Sequence, residues 1–209
     1  MRQLFSVLIL ITLGFAALPG AQCYAASAPP QTIGSATWTI DPAHTKPSFS
    51  IRHMMISNVT GSFDKVTGSV RYDGKNLSNA YIEAVIDTAS IDTANAQRDT
   101  HLKSPDFLDT AKYPKITFKS KTIIPVSEHQ AKITGDLTMH GVTKEIILDL
   151  QEITPEIKDP YGKTRVGATA TATLNRKDFG ISFNGMMDSG GAIVGDMVNV
   201  SIEAELVKN

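Results

Sequence analysis

The residues of this chain with the widest chemical scope are its histidines, which can bind metal ions or act as general bases. There are five: His44, His53, His101, His129 and His140. No pair has H-x-x-x-H spacing, although all except His129 could converge in the fold, with Asp41 or Asp99 as an oxygen donor. The favoured interpretation is that each ring forms hydrogen bonds with backbone groups at turns. We therefore predict no metal site.

Nucleophilic catalysis has little support in the sequence. Ser182 lies in GISFNG, which lacks the final glycine of a G-x-S-x-G nucleophile elbow, and the chain has no Gly-rich phosphate loop. The one cysteine, Cys23, precedes the expected start of the mature chain. We predict a protein that is not an enzyme. The alternatives are an enzyme that modifies a lipid head group and a histidine-based metal or redox accessory module.

Two charged clusters, Arg98-Asp99 and Arg176-Lys177-Asp178, lie beside apolar residues. Each arginine could pair within the fold, or contact a phosphate or carbonyl head group at a cavity mouth. Structural pairing is favoured, with a nearby carboxylate as the partner of Arg98. The methionines suit either an adaptable cavity or ordinary core packing, and core packing is favoured. They are Met54, Met55, Met139, Met186, Met187 and Met197.

The amino end has the pattern of a secretory signal peptide. Met1-Arg2 gives a positive start, segment 4–18 is uncharged and apolar, and Pro19-Gly20 and small residues follow. A membrane anchor is less favoured, because this segment is shorter than the roughly 20 apolar residues of a spanning helix. Cleavage after Ala25 is preferred to cleavage after Ala28. The predicted organisation is a signal peptide over 1–25, a flexible leader over 26–36 and one domain over 37–209, exported to the periplasm.

Beyond residue 36 the side chains alternate between apolar and polar, which is typical of half-buried strands. The last strand is the clearest, since Val198, Val200 and Ile202 share one face while Asn199 and Ser201 share the other. His53 is predicted to point inward, where its ring needs a side chain or a polar ligand head as partner. The inward positions predicted to bind a ligand are Phe49, Ile51, His53, Phe63, Ile116, Phe118, Leu137, Met139, Val198, Val200 and Ile202.

Residues 92–113 interrupt the strand pattern and predict a helical insertion. Asn95 or Thr93 would cap a helix ending near Lys103, and Ser104-Pro105 would begin a second helical turn. Elsewhere, short turns make successive strands antiparallel neighbours. These predicted turns lie at Asp73-Gly74, Gly141, Asp159–Gly162 and Asn184-Gly185.

About eight such strands hide their edges by forming a sandwich or by closing into a barrel. With 20 Lys and Arg residues against 21 Asp and Glu, the net charge is −1, so the chain lacks the basic character of a nucleic-acid-binding protein. We predict no nucleic-acid partner.

Several ordered segments match a known family pattern: WTIDPAHTKPSFSIRHMM (38–55), VTGSFDKVTGSV (59–70), SIDTANAQRDTHLKSPDFLDTAKYPKITFKS (90–120), ITGDLTMHGVTKEIILDL (133–150), LNRKDFGI (174–181) and VGDMVNVSIEAEL (194–206). In these segments the chain resembles the YceI-like family of exported, polyisoprenoid-binding, lipocalin-like proteins. One segment, 182–193, is longer and richer in glycine than the family pattern.

The resemblance implies an all-β fold, an antiparallel lipocalin-like β-barrel of about eight strands with a short helical insertion. It also implies an apolar channel that binds a polyisoprenoid, such as a prenyl quinone or polyprenyl phosphate, or another long-chain amphiphilic lipid. No cofactor other than such a bound lipid is expected. The expected partners are the lipid itself, a membrane surface only during lipid exchange, and a second copy of the chain in a homodimer.

Overall fold

The computed structural model describes residues 36–73, 75–186 and 192–209. The predicted signal peptide, 1–25, and leader residues 26–35 lie outside the described residues. Ala36, predicted to end the leader, instead begins the first strand.

The described part of the chain forms twelve strands, one α-helix and three short 3-10 helices. The strands are β1 (Ala36–Ile40), β2 (Lys46–His53), β3 (Ser57–Phe63), β4 (Val66–Tyr72), β5 (Tyr81–Asp87), β6 (Ile91–Asp92), β7 (Lys115–Pro125), β8 (Ala131–Met139), β9 (Val142–Ile153), β10 (Ile157–Lys158), β11 (Thr164–Asn175) and β12 (Val194–Lys208). The helix α1 is Ala96–Lys103, and the 3-10 helices are Leu77–Asn79, Thr88–Ser90 and Arg176–Phe179.

Eight of the strands close into an antiparallel barrel, as predicted. Around the barrel their order is β1, β4, β5, β7, β8, β9, β11 and β12. The ring is closed by β11 and β12, which pair from Asn175 opposite Met197 to Arg165 opposite Val207. Because the barrel is closed, each of these eight strands is hydrogen-bonded to a neighbouring strand on both sides.

One side of the barrel is built from two strands in succession. The 15-residue strand β12 pairs with β2 along its first part and with β1 at its end. The break between β1 and β2 lies at residues 41–45, where Thr45 Oγ1 accepts a hydrogen bond from the Glu205 amide at 3.0 Å. Strands β2, β3 and β6 thereby extend the wall beyond the closed ring.

The helical insertion follows β6 and is capped as predicted. Asn95 accepts a hydrogen bond from the Arg98 amide, and α1 ends at Lys103. Ser104-Pro105 begins a single hydrogen-bonded turn over residues 105–108, in which the Phe107 amide donates to the Ser104 carbonyl at 3.1 Å, and this turn does not continue into a second helix. Phe107 and Leu108 of this turn are buried with Ile91 and Ile181. Within the part of the chain that the structure describes, no helix is long and apolar enough to cross a bilayer.

The turns follow the sequence signals in most places. His140 and Gly141 join β8 to β9 and both have positive φ, and Gly141 approaches the Tyr113 ring so closely that a Cβ there would lie 2.5 Å from it. At Asp73-Gly74 the glycine lies outside the described residues. Asn184-Gly185 is not a hairpin tip, because the Asn184 side chain exchanges two hydrogen bonds with the Val194 backbone.

Candidate functional site

An apolar cavity of about 350 Å³ fills the interior of the barrel. It is lined by the inward side chains of the strands and by Leu102, Phe107 and Leu108 of the insertion. Along β12 the lining extends from Val194 to Leu206. The regular part of this strand from Val198 to Leu206 covers eight residue steps, about 26 Å at roughly 3.3 Å per residue. The cavity is therefore elongated.

The wall contains every predicted ligand-binding residue except His53. The residues placed in it are Phe49, Ile51, Phe63, Ile116, Phe118, Leu137, Met139, Val198, Val200 and Ile202. Their role in binding a ligand stays a prediction.

His53 is half-buried at the end of β2 and is not part of this wall. Its partner in the β12–β2 ladder is Val194, which does line the cavity. Directly opposed residues of an antiparallel pair lie on the same face of the sheet, so the inward orientation of His53 stays a prediction.

The small residues of the wall were not recognised from the sequence. Ala168, Ala170 and Ala172 of β11 face the cavity, with Ala84 of β5 and Ala204 of β12. Their signal is the run ATATAT at 168–173, in which threonine and alanine alternate. Because alanine fills little volume, these positions leave room for a ligand.

Two polar groups of the wall, those of Thr45 and Arg176, are satisfied within the protein. Thr45 Oγ1 bonds with both the amide and the carbonyl of Glu205, at 3.0 and 3.3 Å. Arg176 is only 3% exposed, and burial lowers the pKa of its guanidinium. Its five hydrogen-bond acceptors are the carbonyl oxygens of Ile181, Phe183, Val194 and Gly195 and the Asp196 carboxylate.

Both predicted arginine clusters have structural roles. Arg176 ties the segment after β11 to the start of β12, as the structural interpretation predicts. Arg98 donates to Thr93 Oγ1 at 2.8 Å and to the Thr93 carbonyl at 2.7 Å. The predicted carboxylate partner of Arg98 is wrong. Instead Asp99 accepts from the same threonine, through its amide at 3.0 Å and its hydroxyl at 2.5 Å.

The histidines do not converge. His101 contacts Asp106 at 3.0 Å, and His140 contacts the Phe179 carbonyl at 3.1 Å. Among the residues that the structure describes, one group could hold a metal ion, namely Asp41, His44 and Glu205. The four-histidine site of the metal hypothesis is therefore not formed.

Arg165 already supplies the positive charge at that group. Its Nη1 donates to Asp41 at 2.6 Å and to Glu205, and its Nε donates to Asp159 at 2.7 Å. The Arg165 and His44 hydrogen bonds hold the pKa of Asp41 well below its usual range. The Asp41 bond in turn raises the pKa of His44. This network joins the segment that follows β1 to β11 and β12 and stabilises the fold.

We expect Asp41→Asn to reduce the amount of folding stability that the protein loses as the pH falls. Because the pKa of Asp41 is lower in the folded state, its contribution is fully present above its unfolded value, about 3.9, and is lost as the pH falls below that value. Urea unfolding from pH 6 to pH 2 should show a smaller loss for the variant. Asp64→Asn, at a surface carboxylate 3.8 Å from Lys46, should keep the wild-type slope; an equal slope for Asp41→Asn would contradict the assignment.

Comparison with known proteins identifies the family of this chain. The model of the YceI-like domain matches residues 38–206. The chain belongs to the YceI family. A UPF0312 protein of Staphylococcus aureus strain MSSA476 is 38% identical over 169 residues, which is 80% of this chain and 95% of the relative.

Solved structures share the YceI fold. A YceI protein of Campylobacter jejuni is 33% identical, with a TM-score of 0.63 and coverage of 76% of this chain and 90% of that one. BcnA of Burkholderia cenocepacia is 22% identical with a TM-score of 0.70, covering 79% and 98%. A domain of Saccharophagus degradans described as polyisoprenoid-binding is 16% identical with a TM-score of 0.59, covering 82% and 98%. At these last two identities the likeness shows the fold alone.

Proposed function

We propose that this YceI protein is an exported, periplasmic carrier or store that binds a polyisoprenoid or another long-chain amphiphilic lipid without covalent chemistry. The observation that carries the proposal is the long apolar cavity inside the closed barrel. The Saccharophagus degradans domain with the same fold, described as polyisoprenoid-binding, supports it. The signal-like sequence of residues 1–25 supports export.

An apolar cavity of this shape binds a lipid chain by the hydrophobic effect. Each CH₂ removed from water contributes about 0.8 kcal/mol, so a long tail binds strongly with few polar contacts. Selectivity then depends on the length of the cavity and on where its wall is narrow. The alanines of β11 line the cavity between Val166 and Leu174, where their small side chains leave room for a lipid chain.

A binding role is supported by the state of two polar wall residues, Thr45 and Arg176. General acid–base catalysis needs side chains free to exchange a proton with the substrate. Thr45 and Arg176 are bonded to the protein itself. A lipid-modifying enzyme would need several side chains of perturbed pKa that converge in the cavity. Arg176 does not meet this need, because it already donates its hydrogen bonds to backbone carbonyls.

The turn between β2 and β3 is suited to contact a membrane surface. Met54, Met55 and Ile56 are exposed there, with Ile56 78% exposed. Met54 and Met55 have φ values of 50° and 60°, a left-handed conformation that favours glycine and asparagine. The Met54 amide donates to the Ile193 carbonyl at 2.8 Å, beside the lining residue Val194. We propose that lipid enters and leaves at this end.

We expect Met54→Asn combined with Met55→Gly to slow lipid exchange while stabilising the turn. Relief of the left-handed methionines should raise the free energy of unfolding by about 1 kcal/mol, whereas loss of two apolar contacts should slow exchange about tenfold. The measurement is transfer of a pyrene-labelled isoprenoid alcohol from phosphatidylcholine vesicles. Val126→Asn, at an exposed turn of the opposite end, is the control. Equal transfer rates for all three proteins would refute the membrane contact.

Native mass spectrometry of the purified protein tests lipid binding directly. We expect a non-covalent adduct that is lost on denaturation and recovered in an organic extract as a long-chain lipid. The proposal fails when the protein carries no adduct and also takes up no isoprenoid alcohol from vesicles. Sequencing of the amino end of protein from the periplasmic fraction should show cleavage after Ala25.

A further inference from the structure

The end of the cavity away from the β2–β3 turn contains a buried hydrogen-bond donor that has no acceptor. Trp38 lies on β1, is 1% exposed and lines the cavity with Ile40, Val166 and Leu206. Its Nε1–H is the one fully buried side-chain nitrogen or oxygen without a partner in the described ranges. An indole N–H in a protein interior usually finds an acceptor, so this one stands out.

An unpaired donor in such surroundings is costly. Removal of a polar group from water without a new hydrogen bond costs free energy, and the neighbours that pack around Trp38 are mainly hydrocarbon. Tyr72 is the one partly polar member of this cluster, and burial raises the pKa of its hydroxyl, which therefore stays uncharged. An oxygen acceptor brought by a ligand would satisfy the Trp38 donor.

The charges near the wall indicate what kind of oxygen fits. Lys208 Nζ lies 5.0 Å from the centre of the Trp38 ring, but both carboxylate oxygens of Glu156 already bind it at 3.0 Å. Arg176 is committed to backbone carbonyls. A phosphate buried here would meet no free cation in the described wall, and burying an unpaired charge is expensive. The site therefore favours an uncharged acceptor.

We propose that the Trp38 Nε1–H donates a hydrogen bond to an uncharged oxygen of the bound lipid, a carbonyl, hydroxyl or ether. The ligand would lie with its oxygenated end at Trp38 and its chain towards Phe107 and Ile181. Because apolar side chains cover Nε1, the acceptor reaches it as those side chains move aside. This inference rests on the proposed lipid-binding function and adds the class of head group and its orientation.

The test exploits the fact that Trp38 is the only tryptophan of the chain, so that one indole Nε1–H signal appears in a ¹⁵N–¹H correlation spectrum. The probes are a methyl ketone with a long alkyl chain, the n-alkane of equal carbon number and the matching alkyl phosphate. We expect the ketone to move the indole proton downfield and to bind about tenfold more tightly than the alkane, as one hydrogen bond provides. The alkane should leave that proton near its ligand-free position.

Trp38→Phe keeps an aromatic ring but removes the donor. It should abolish the preference for ketone over alkane while retaining alkane affinity, which also shows that the variant folds. Tyr161→Phe, which removes a hydroxyl from a ring that is 90% exposed and outside the cavity, is the control and should keep the preference. Equal effects of ketone and alkane on the indole proton, tighter binding of the phosphate, or a preference that survives in Trp38→Phe would overturn the inference. Failure of all three probes to bind would instead refute the proposed function.

Discussion

Replacement of Val200 by tryptophan is expected to reduce lipid occupancy at least about tenfold while most of the folding stability remains. Val200 lies on β12 between Ala172 of β11 and Phe49 of β2, and all three residues line the cavity. An indole at this position would fill a large share of a cavity of about 350 Å³. Overpacking of a core typically costs about 1–3 kcal/mol, and the space already present places the cost at the lower end.

Native mass spectrometry gives the occupancy, and urea unfolding gives the stability of the same preparation. The matched control is Ser201→Trp, which adds the same side chain one residue further along β12 on the exposed outer face. It should keep wild-type occupancy. A tryptophan at Val200 that leaves the lipid in place would show that the ligand binds elsewhere.

Replacement of Arg176 by methionine should lower the free energy of unfolding by about 3–5 kcal/mol, which is typical when one partner of a buried charged network is removed. The methionine chain fills a similar volume but leaves the carbonyl groups of Ile181, Phe183 and Gly195 without their donor. Because these carbonyls connect the segment after β11 to the start of β12, that end of the barrel should loosen first. Urea unfolding and amide hydrogen exchange provide the measurements.

Lys177→Met is the control for Arg176, since it removes the same charge from the adjacent residue. Lys177 pairs with Asp196 at 2.9 Å on the surface, and such pairs contribute at most about 1 kcal/mol. Similar losses for the two variants would mean that Arg176 stabilises the fold by its charge alone and not by its hydrogen bonds to the backbone.

Local patterns predicted the elements that depend on nearby residues. The alternation of Val198, Val200 and Ile202 with Asn199 and Ser201 set the inner and outer faces of β12, because side chains of a strand point to opposite sides. The cap of α1 at Asn95 was predictable for the same kind of reason, since its hydrogen bond spans only three residues.

Other features depend on groups that are far apart in the sequence. The register shift between Val194 and Val198 depends on how β12 pairs with β2. Arg176 stabilises the fold because its guanidinium donates hydrogen bonds to carbonyl oxygens from two later segments of the chain. The network of Arg165 with Asp41 and Glu205 joins two strands of the barrel to the segment that follows β1. No local sequence pattern predicts such long-range contacts.

The sequence by itself determined about eight antiparallel strands, their helical insertion, and which residues share a face on regular strands, because these follow from alternation, caps and turns. The closed barrel was implied only by the resemblance to the YceI-like family. Only the tertiary structure decided which inward residues enclose open space, which polar groups are satisfied, and that the Trp38 donor is left unpaired. Those outcomes depend on how strands distant in sequence pack against one another. Volume and hydrogen bonding are properties of that packing, not of any one segment.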